Sequence, residues 1–448
     1  MLKKALAAAL LMLAATSAAS AEDGGQYGDV EVVAPISPAR GLVILFSDSE
    51  GLQPRDRTRL EAIANAGAIA VGVDTRAYLR NLSHAEPSCL LLFRDAEMLG
   101  RQLQREHPTT QYRVPIVAGE GLGGALASKI VAQSPLQTVS GGVAVDPAAT
   151  LPLDHEICTR PMEADDREGS GTLDAPVLKN PWTVALTPAA SAETRARFAA
   201  LAEHTKLMTL RELPDAGDAL AFADLIRPFL ASESPQTVGD LPLVELPAAN
   251  HTRRMAVFLS GDGGWRDLDK RVSERLQELG VSVVGWDSLR YFWSRKTPDQ
   301  AAADLAAVID TYERKWNCDE VALIGFSFGA DAMPFIYGQL DAPMRKRIAM
   351  ISILSPGQAA DWEIKVAGWF GAGPSAAATP LGPAVATMPG DRVQCFYGDR
   401  DEGRTCEKFA ERGAEIHSKS GDHHMDGDYD LIGREIVEGF DRRLRDGL

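Results

Sequence analysis

Basic residues are the scarce class in this 448-residue chain: 46 Lys and Arg stand against 62 Asp and Glu, a formal net charge of −16. That deficit argues against a polyanionic partner, because nucleic-acid binding draws on a basic face that releases counterions, so no nucleic acid is expected to bind directly. Long apolar runs are nearly absent too. Residues 5–15, behind Lys3 and Lys4, form an apolar run shorter than the ~20 residues a bilayer requires. With Ala19-Ser20-Ala21 as an A-x-A cleavage site, residues 1–21 read as a signal peptide that is removed on export. No Cys follows the run, so it is not a lipoprotein signal. Cysteine is sparse and odd in number: Cys89, Cys158, Cys318, Cys395 and Cys406. Export makes them candidates for oxidation. Cys395 and Cys406 close a short loop and Cys89 with Cys158 could staple the first half, although sequence alone leaves the connectivity open; Cys318 reads as a small buried residue before a strand.

What the chain does contain is a repeat of itself. The length suits two or three domains, and 45% of the residues are apolar, enough for proper cores. Residues 41–79 align without a gap on 254–292; Ser47, Gly51, Asp56, Glu61, Gly67, Val71, Gly72, Asp74 and Tyr78 match Ser260, Gly264, Asp269, Glu274, Gly280, Val284, Gly285, Asp287 and Tyr291. Each window reads as an apolar strand, a glycine-containing turn, an amphipathic helix and a second apolar strand. Further on, residues 114–127 parallel 321–333, each an apolar run ending in glycines and passing into a helix, as a buried parallel strand and its crossover helix do. The expected architecture is a duplicated α/β domain, 22–235 and 236–448, joined through the polar, Pro-containing stretch 232–242. A Gly/Ala/Pro-rich stretch, 371–390, reads as an irregular insertion of the kind that forms lids.

Gly325-Phe326-Ser327-Phe328-Gly329 is a G-x-S-x-G between a strand and a helix-forming segment. In that setting the flanking glycines permit the strained turn that exposes a serine hydroxyl, and the helix N-terminus lends its amides. A serine needs a base and an orienting acid, expected in the order Ser, Asp, His. The strand and turn at 393–402 carry Asp399, Asp401 and Glu402, and an acid about three residues after the strand's last glycine favours Asp401, with Asp399 in reserve. The polar loop 420–428 offers His423, favoured because it follows the Gly-Asp pair, with His424 as its competitor. A metal reading of His423, His424, Asp426 and Asp428 lacks the spacing of zinc motifs, so neither metal nor cofactor is expected. The oxyanion hole is assigned to the amides of Asp262 or Gly263 together with Phe328, because 259–265 stands at the end of the first strand. That glycine-rich turn has neither the G-x-G-x-x-G spacing nor the lysine of a nucleotide cradle. In the first copy Gly121 stands where Ser327 stands, so that half has no hydroxyl to attack with and keeps a binding or docking role.

The stretches 260–270 (SGDGGWRDLDK), 325–331 (GFSFGAD), 395–406 (CFYGDRDEGRTC) and 421–430 (GDHHMDGDYD) together resemble the VirJ/AcvB family of exported bacterial virulence-associated proteins, in its long two-domain form. The resemblance implies two tandem α/β-hydrolase-like domains, the first degenerate and the second carrying Ser327, Asp401 and His423. It implies a periplasmic serine hydrolase that cleaves the aminoacyl ester of lysyl-phosphatidylglycerol at the membrane surface. Asp331, which follows the elbow as in the family, and Trp265 are the expected substrate contacts. The acids Asp262, Asp331 and those of the 399–402 loop would attract the ammonium groups of such an acyl donor. Tyr291, Phe292, Trp293, Trp362, Trp369 and Phe370 are candidates for an aromatic face toward the bilayer. The alternatives are a generic exported esterase or thioesterase and a noncatalytic periplasmic adaptor of type IV secretion. A periplasmic protein partner would dock through 22–235.

Overall fold

The strands Leu42–Phe46 and Ile69–Val73 are apolar throughout and buried at every position. Runs of this kind have no polar face for solvent and belong in a parallel sheet covered on both sides. The computed structural model describes residues 19–84, 89–107, 109, 111–135, 138–153, 155–158, 178–230, 238, 241–250, 252–365, 375–401 and 405–447. Most of the linker, Glu402, Trp369, Phe370 and residues 371–374 of the glycine-rich stretch lie outside them. Contacts divide the chain into one unit of residues 1–109 and 113–233 and another of 110–112 and 234–448.

The first unit holds an eight-stranded sheet. Its spatial order is Ser20–Asp23, Asp29–Val33, Ile69–Val73, Leu42–Phe46, Ile116–Glu120, Gly141–Val145, Trp182–Leu186 and Met208–Glu212. The first two strands run antiparallel to their neighbours and all later pairs are parallel. In the second unit the order is Leu243–Leu246, Ser282–Trp286, Arg254–Leu259, Glu320–Phe326, Ile348–Leu354, Val393–Gly398 and Glu415–Lys419. It too begins antiparallel and continues parallel. Each unit therefore repeats one α/β-hydrolase topology, with a further edge strand on the first.

The likeness extends to single hydrogen bonds. Thr75 N donates to Ser47 Oγ at 3.1 Å, and Ser288 N donates to Ser260 Oγ at 2.9 Å. Asp74 and Asp287 each cap the short helix that follows. Tyr78 donates its hydroxyl to Asp95 at 2.7 Å and Tyr291 donates to Asp304 at 2.5 Å. Disulfides join Cys89 to Cys158 and Cys395 to Cys406, and Cys318 is a buried thiol.

The described part of the glycine-rich stretch is less irregular than its composition suggests. Thr379–Pro380 pairs antiparallel with Ala359–Ala360, and Leu381, fully buried, donates its amide to Gln358 O at 3.0 Å. The apolar Leu381 anchors this segment against the fold, a constraint that a count of Gly, Ala and Pro does not register.

In both units the helix after the elbow strand meets the end of the neighbouring strand at backbone contact. A Cβ on Gly123 would lie 2.2 Å from Phe46 O, and one on Gly329 would lie 2.3 Å from Leu259 O. Gly123→Ala and Gly329→Ala should each lower stability by about 1–3 kcal/mol or more, since backbone cannot step aside. Gly338→Ala, at an open helical position, should instead raise it by about 0.5–1 kcal/mol. Thermal unfolding of the three variants checks both signs.

Candidate active site

The strand Glu320–Phe326 ends on Ser327, which takes φ 50° and ψ −116°, and the helix Phe328–Gln339 begins at once. A positive φ on a serine is strained and persists only where its surroundings enforce it. Here Gly325 and Gly329 enforce it: a Cβ on Gly325 would fall 2.6 Å from Gly329 O. Ser327 N donates to Leu354 O at 3.0 Å, which ties the turn to the neighbouring strand. The hydroxyl is left at the carboxyl end of the sheet, where side chains from the following loops converge.

Two such loops meet it. His423 Nε2 lies 2.9 Å from Ser327 Oγ, and His423 Nδ1 lies 2.9 Å from Asp401 Oδ2. The Asp401 side chain is 16% exposed and that of His423 is 41%, so the acid is enclosed while the imidazole remains open to a ligand. Ser355 Oγ donates to the carbonyl of His423 at 2.8 Å and holds the loop from the sheet side. Gly398 lets the loop come close, since a Cβ there would lie 1.9 Å from Asp422 O. The two reserve residues are placed elsewhere. Asp399 Oδ1 accepts from Gly421 N at 2.9 Å, bracing the histidine loop, and His424 Nδ1 faces Tyr429 OH at 3.4 Å. Among the described residues no group of three or more His, Cys, Asp or Glu side chains is arranged to hold a metal ion.

The first unit shows what the neighbouring amides bind. Gly121 has φ 54°, close to that of Ser327. Beside it, Asp48 Oδ1 accepts from Ser49 N at 2.7 Å and from Leu122 N at 2.9 Å. In the aligned repeat Ser49 corresponds to Asp262 and Leu122 to Phe328. A negative oxygen thus sits between the two amides whose counterparts flank Ser327. In the second unit Gly261 stands in place of Asp48 and brings no side chain to those amides; a Cβ there would lie 3.3 Å from Phe326 Cδ1 and 3.5 Å from Ser327 Cβ. Of the two residues open for the hole, the comparison selects the amide of Asp262 over that of Gly263.

Asp331, on the first turn of the helix after Ser327, accepts from Gly357 N at 2.6 Å. Desolvation first, and then the charges of Asp361, Asp262 and Asp401, raise its carboxyl to about 8 against the pull of that amide. Asp361, not singled out in the sequence, accepts from Ser375 N at 3.0 Å and from its hydroxyl at 2.5 Å. Only the folded chain shows that these acids surround one centre.

Two expectations need correction. Trp265 is 6% exposed, sits edge-on to Phe258 at 5.7 Å and fills the space over Gly285; it belongs to the core, not to a substrate contact. Tyr291, Phe292, Trp293 and Trp362 are all buried, so they form no aromatic face toward a bilayer. Phe292 instead meets Phe328 at 4.9 Å and Trp362 at 6.2 Å, building an aromatic wall behind the elbow. Aromatic residues carry too much apolar area to forgo burial when a core lies within reach.

Sheet order, strained elbow and the Asp–His pair facing it define an α/β-hydrolase domain. Residues 253–444 match the family model of the bacterial virulence protein VirJ. Comparison with curated proteins gives no match. Among solved structures the chain is similar to the esterase Est1E from Butyrivibrio proteoclasticus, at 16% identity and TM-score 0.34, over 45% of this chain and 93% of that one. It is also similar to a dienelactone hydrolase from Anabaena variabilis, at 18% identity and TM-score 0.32, over 47% and 95%. The esterase Pf2001 of Pyrococcus furiosus stands at 16% identity and TM-score 0.33, over 47% and 96%.

The raised carboxyl of Asp331 has a consequence for stability. Between its unfolded value, near 3.8, and about 8 the folded chain holds a proton that the unfolded chain has lost, so this group's contribution to stability falls as pH rises through that window. Asp331→Asn removes the ionising group. The variant's melting temperature relative to wild type should rise from pH 4 to pH 9, measured by calorimetry in matched buffers.

Proposed function

We propose that the second half of the chain is a serine ester hydrolase, and that the observation carrying this reading is the chain of 2.9 Å contacts from Asp401 through His423 to Ser327 on a strained elbow. His423, oriented by Asp401, takes the proton of Ser327 as Oγ attacks an ester carbonyl. The carbonyl oxygen becomes negative between the amides of Asp262 and Phe328. The tetrahedral intermediate collapses, the carbon–oxygen bond to the alcohol breaks, and His423 returns its proton to the leaving oxygen. Water, deprotonated by the same imidazole, then attacks the acyl-enzyme and releases the free acid and Ser327.

The substrate proposed is the lysyl ester of phosphatidylglycerol, with phosphatidylglycerol as the leaving alcohol and lysine as the acid released. The match of residues 253–444 to the VirJ family model supports this reading, as does the electrostatics of the centre. Asp262, Asp361 and Asp401 are close enough to act on the buried carboxyl of Asp331, on the first turn after the nucleophile, and their field favours a dicationic acyl group over a neutral or anionic one. The location proposed is the periplasm, after removal of residues 1–21, and the first half, which lacks a nucleophile, is assigned a docking role.

Purified full-length wild type and Ser327→Ala, incubated with vesicles containing lysyl-phosphatidylglycerol, test the reading. Wild type should release free lysine and phosphatidylglycerol, both followed by mass spectrometry, and the variant should be slower by at least about 10³-fold. Equal rates would remove Ser327 as nucleophile. Activity of wild type on soluble esters, with none on the lipid, would leave the hydrolase and replace its substrate.

A further inference from the structure

Asp269 takes no part in the triad, yet its carboxyl reaches the turn that carries the amide of Asp262. It is 2% exposed, in the first turn of the helix Asp267–Glu278. Its carboxyl accepts from the backbone amides of Arg266 and Gly261, while Oδ1 has no hydrogen-bond partner among the described residues. The amides are therefore gathered on the other oxygen.

The first unit offers an internal control. Its counterpart, Asp56, accepts from Gln53 N at 2.9 Å, the residue matching Arg266, and also faces Arg59 Nη1 at 3.1 Å. In the second unit Val272 stands where Arg59 stands in the first. The carboxyl has kept its amide and lost its cation. Burial without a counterion pushes the Asp269 carboxyl well up and makes it costly to retain. The unit that bears the serine keeps this cost, and the two amides concerned bracket the turn 261–266 on which the amide of Asp262 is carried. That turn is strained and glycine-dependent: Gly264 has φ 85°, Asp267 has φ 42°, and Gly264 N donates to Gly261 O at 3.2 Å.

We propose that Asp269 is a positioning residue for the oxyanion hole: by accepting from the amides of Gly261 and Arg266 it fixes the turn 261–266 so that the N–H of Asp262 points at the developing oxyanion. The proposal rests on the reading of this unit as a serine ester hydrolase. It requires a hydrogen-bond acceptor at position 269 and no negative charge. Asparagine should therefore replace aspartate, and leucine, of similar size but without an acceptor, should not.

The experiment uses full-length wild type, Ser327→Ala, Asp269→Asn and Asp269→Leu, each assayed on p-nitrophenyl acetate and on its thionoacetate analogue. An oxyanion hole favours the oxygen ester, since sulfur accepts amide hydrogen bonds poorly, so the ratio of the two kcat/KM values reads the hole itself. Asp269→Leu should lose about 10- to 100-fold in kcat on the oxygen ester, with KM within about twofold and with a lowered oxygen-to-sulfur ratio. Asp269→Asn should keep kcat and the ratio within about threefold of wild type. An unchanged ratio in the Leu variant overturns the proposal, and so does a ratio lost equally in the Asn variant, which also decides the matter if the Leu chain does not fold. Absence of Ser327-dependent turnover in wild type removes the hydrolase reading and this role with it, whereas turnover that Asp269→Leu leaves intact removes the role alone.

Discussion

The structure depends on one close approach. In each unit the helix after the elbow strand begins so near the end of the first central strand that only glycine fits at the contact, Gly123 against Phe46 O and Gly329 against Leu259 O. That contact forces the residue before the helix into positive φ, brings the first amide of the helix beside the loop after the first strand, and creates a small space lined by donors. Nucleophile, anion hole and helix dipole are consequences of the same geometry, not separate acquisitions. A fold that makes this contact has most of an acyl-transfer site before any catalytic side chain is chosen.

What differs between the units is what fills the space. In the second, Gly261 brings no side chain to it, and His423 and Asp401 arrive from the last two loops. In the first, the carboxylate of Asp48 occupies it, and the buried guanidinium of Arg59 reaches Glu120 at 2.7 Å and the carbonyl of Ala216 on the loop after the last strand. Side chains of the first unit's own chain satisfy the donors that a substrate would satisfy elsewhere.

Much of this was legible in the sequence, for reasons that can be named. Continuous apolar strands, glycines at the elbow and the gapless repeat are local signals, and they point to the parallel sheets and to Ser327 directly. The acid was narrowed by distance from Gly398, because a loop leaving a strand has few ways to return a carboxylate to the neighbouring strand's end. On sequence, His423 is favoured over His424 only by its place after the Gly-Asp pair; adjacent residues on a turn point apart, and in the fold Ser355 holds the carbonyl of His423 while its ring meets Ser327. Trp265 and the aromatic stretch near Tyr291 misled for a different reason. Whether an aromatic ring faces solvent or core depends on what packs over it, here Gly285 and Phe328, residues far off in the chain. The aligned repeat also hid Asp48, because it stands opposite Gly261 as a mismatch, and mismatches were where the two halves diverged in purpose.

The placement of Asp48 bears on what the first elbow can carry. A Cβ on Gly121 would fall 2.3 Å from Asp48 Oδ1, so a serine at that elbow requires the Asp48 side chain to leave the amides it holds. Loss of the aspartate alone would remove the acceptor of two amides, that of Ser49, which is exposed, and that of Leu122, which is part-buried. One side chain thus has two effects in the first half: it supplies the acceptor for these amides and it stands where a side chain at position 121 would have to go.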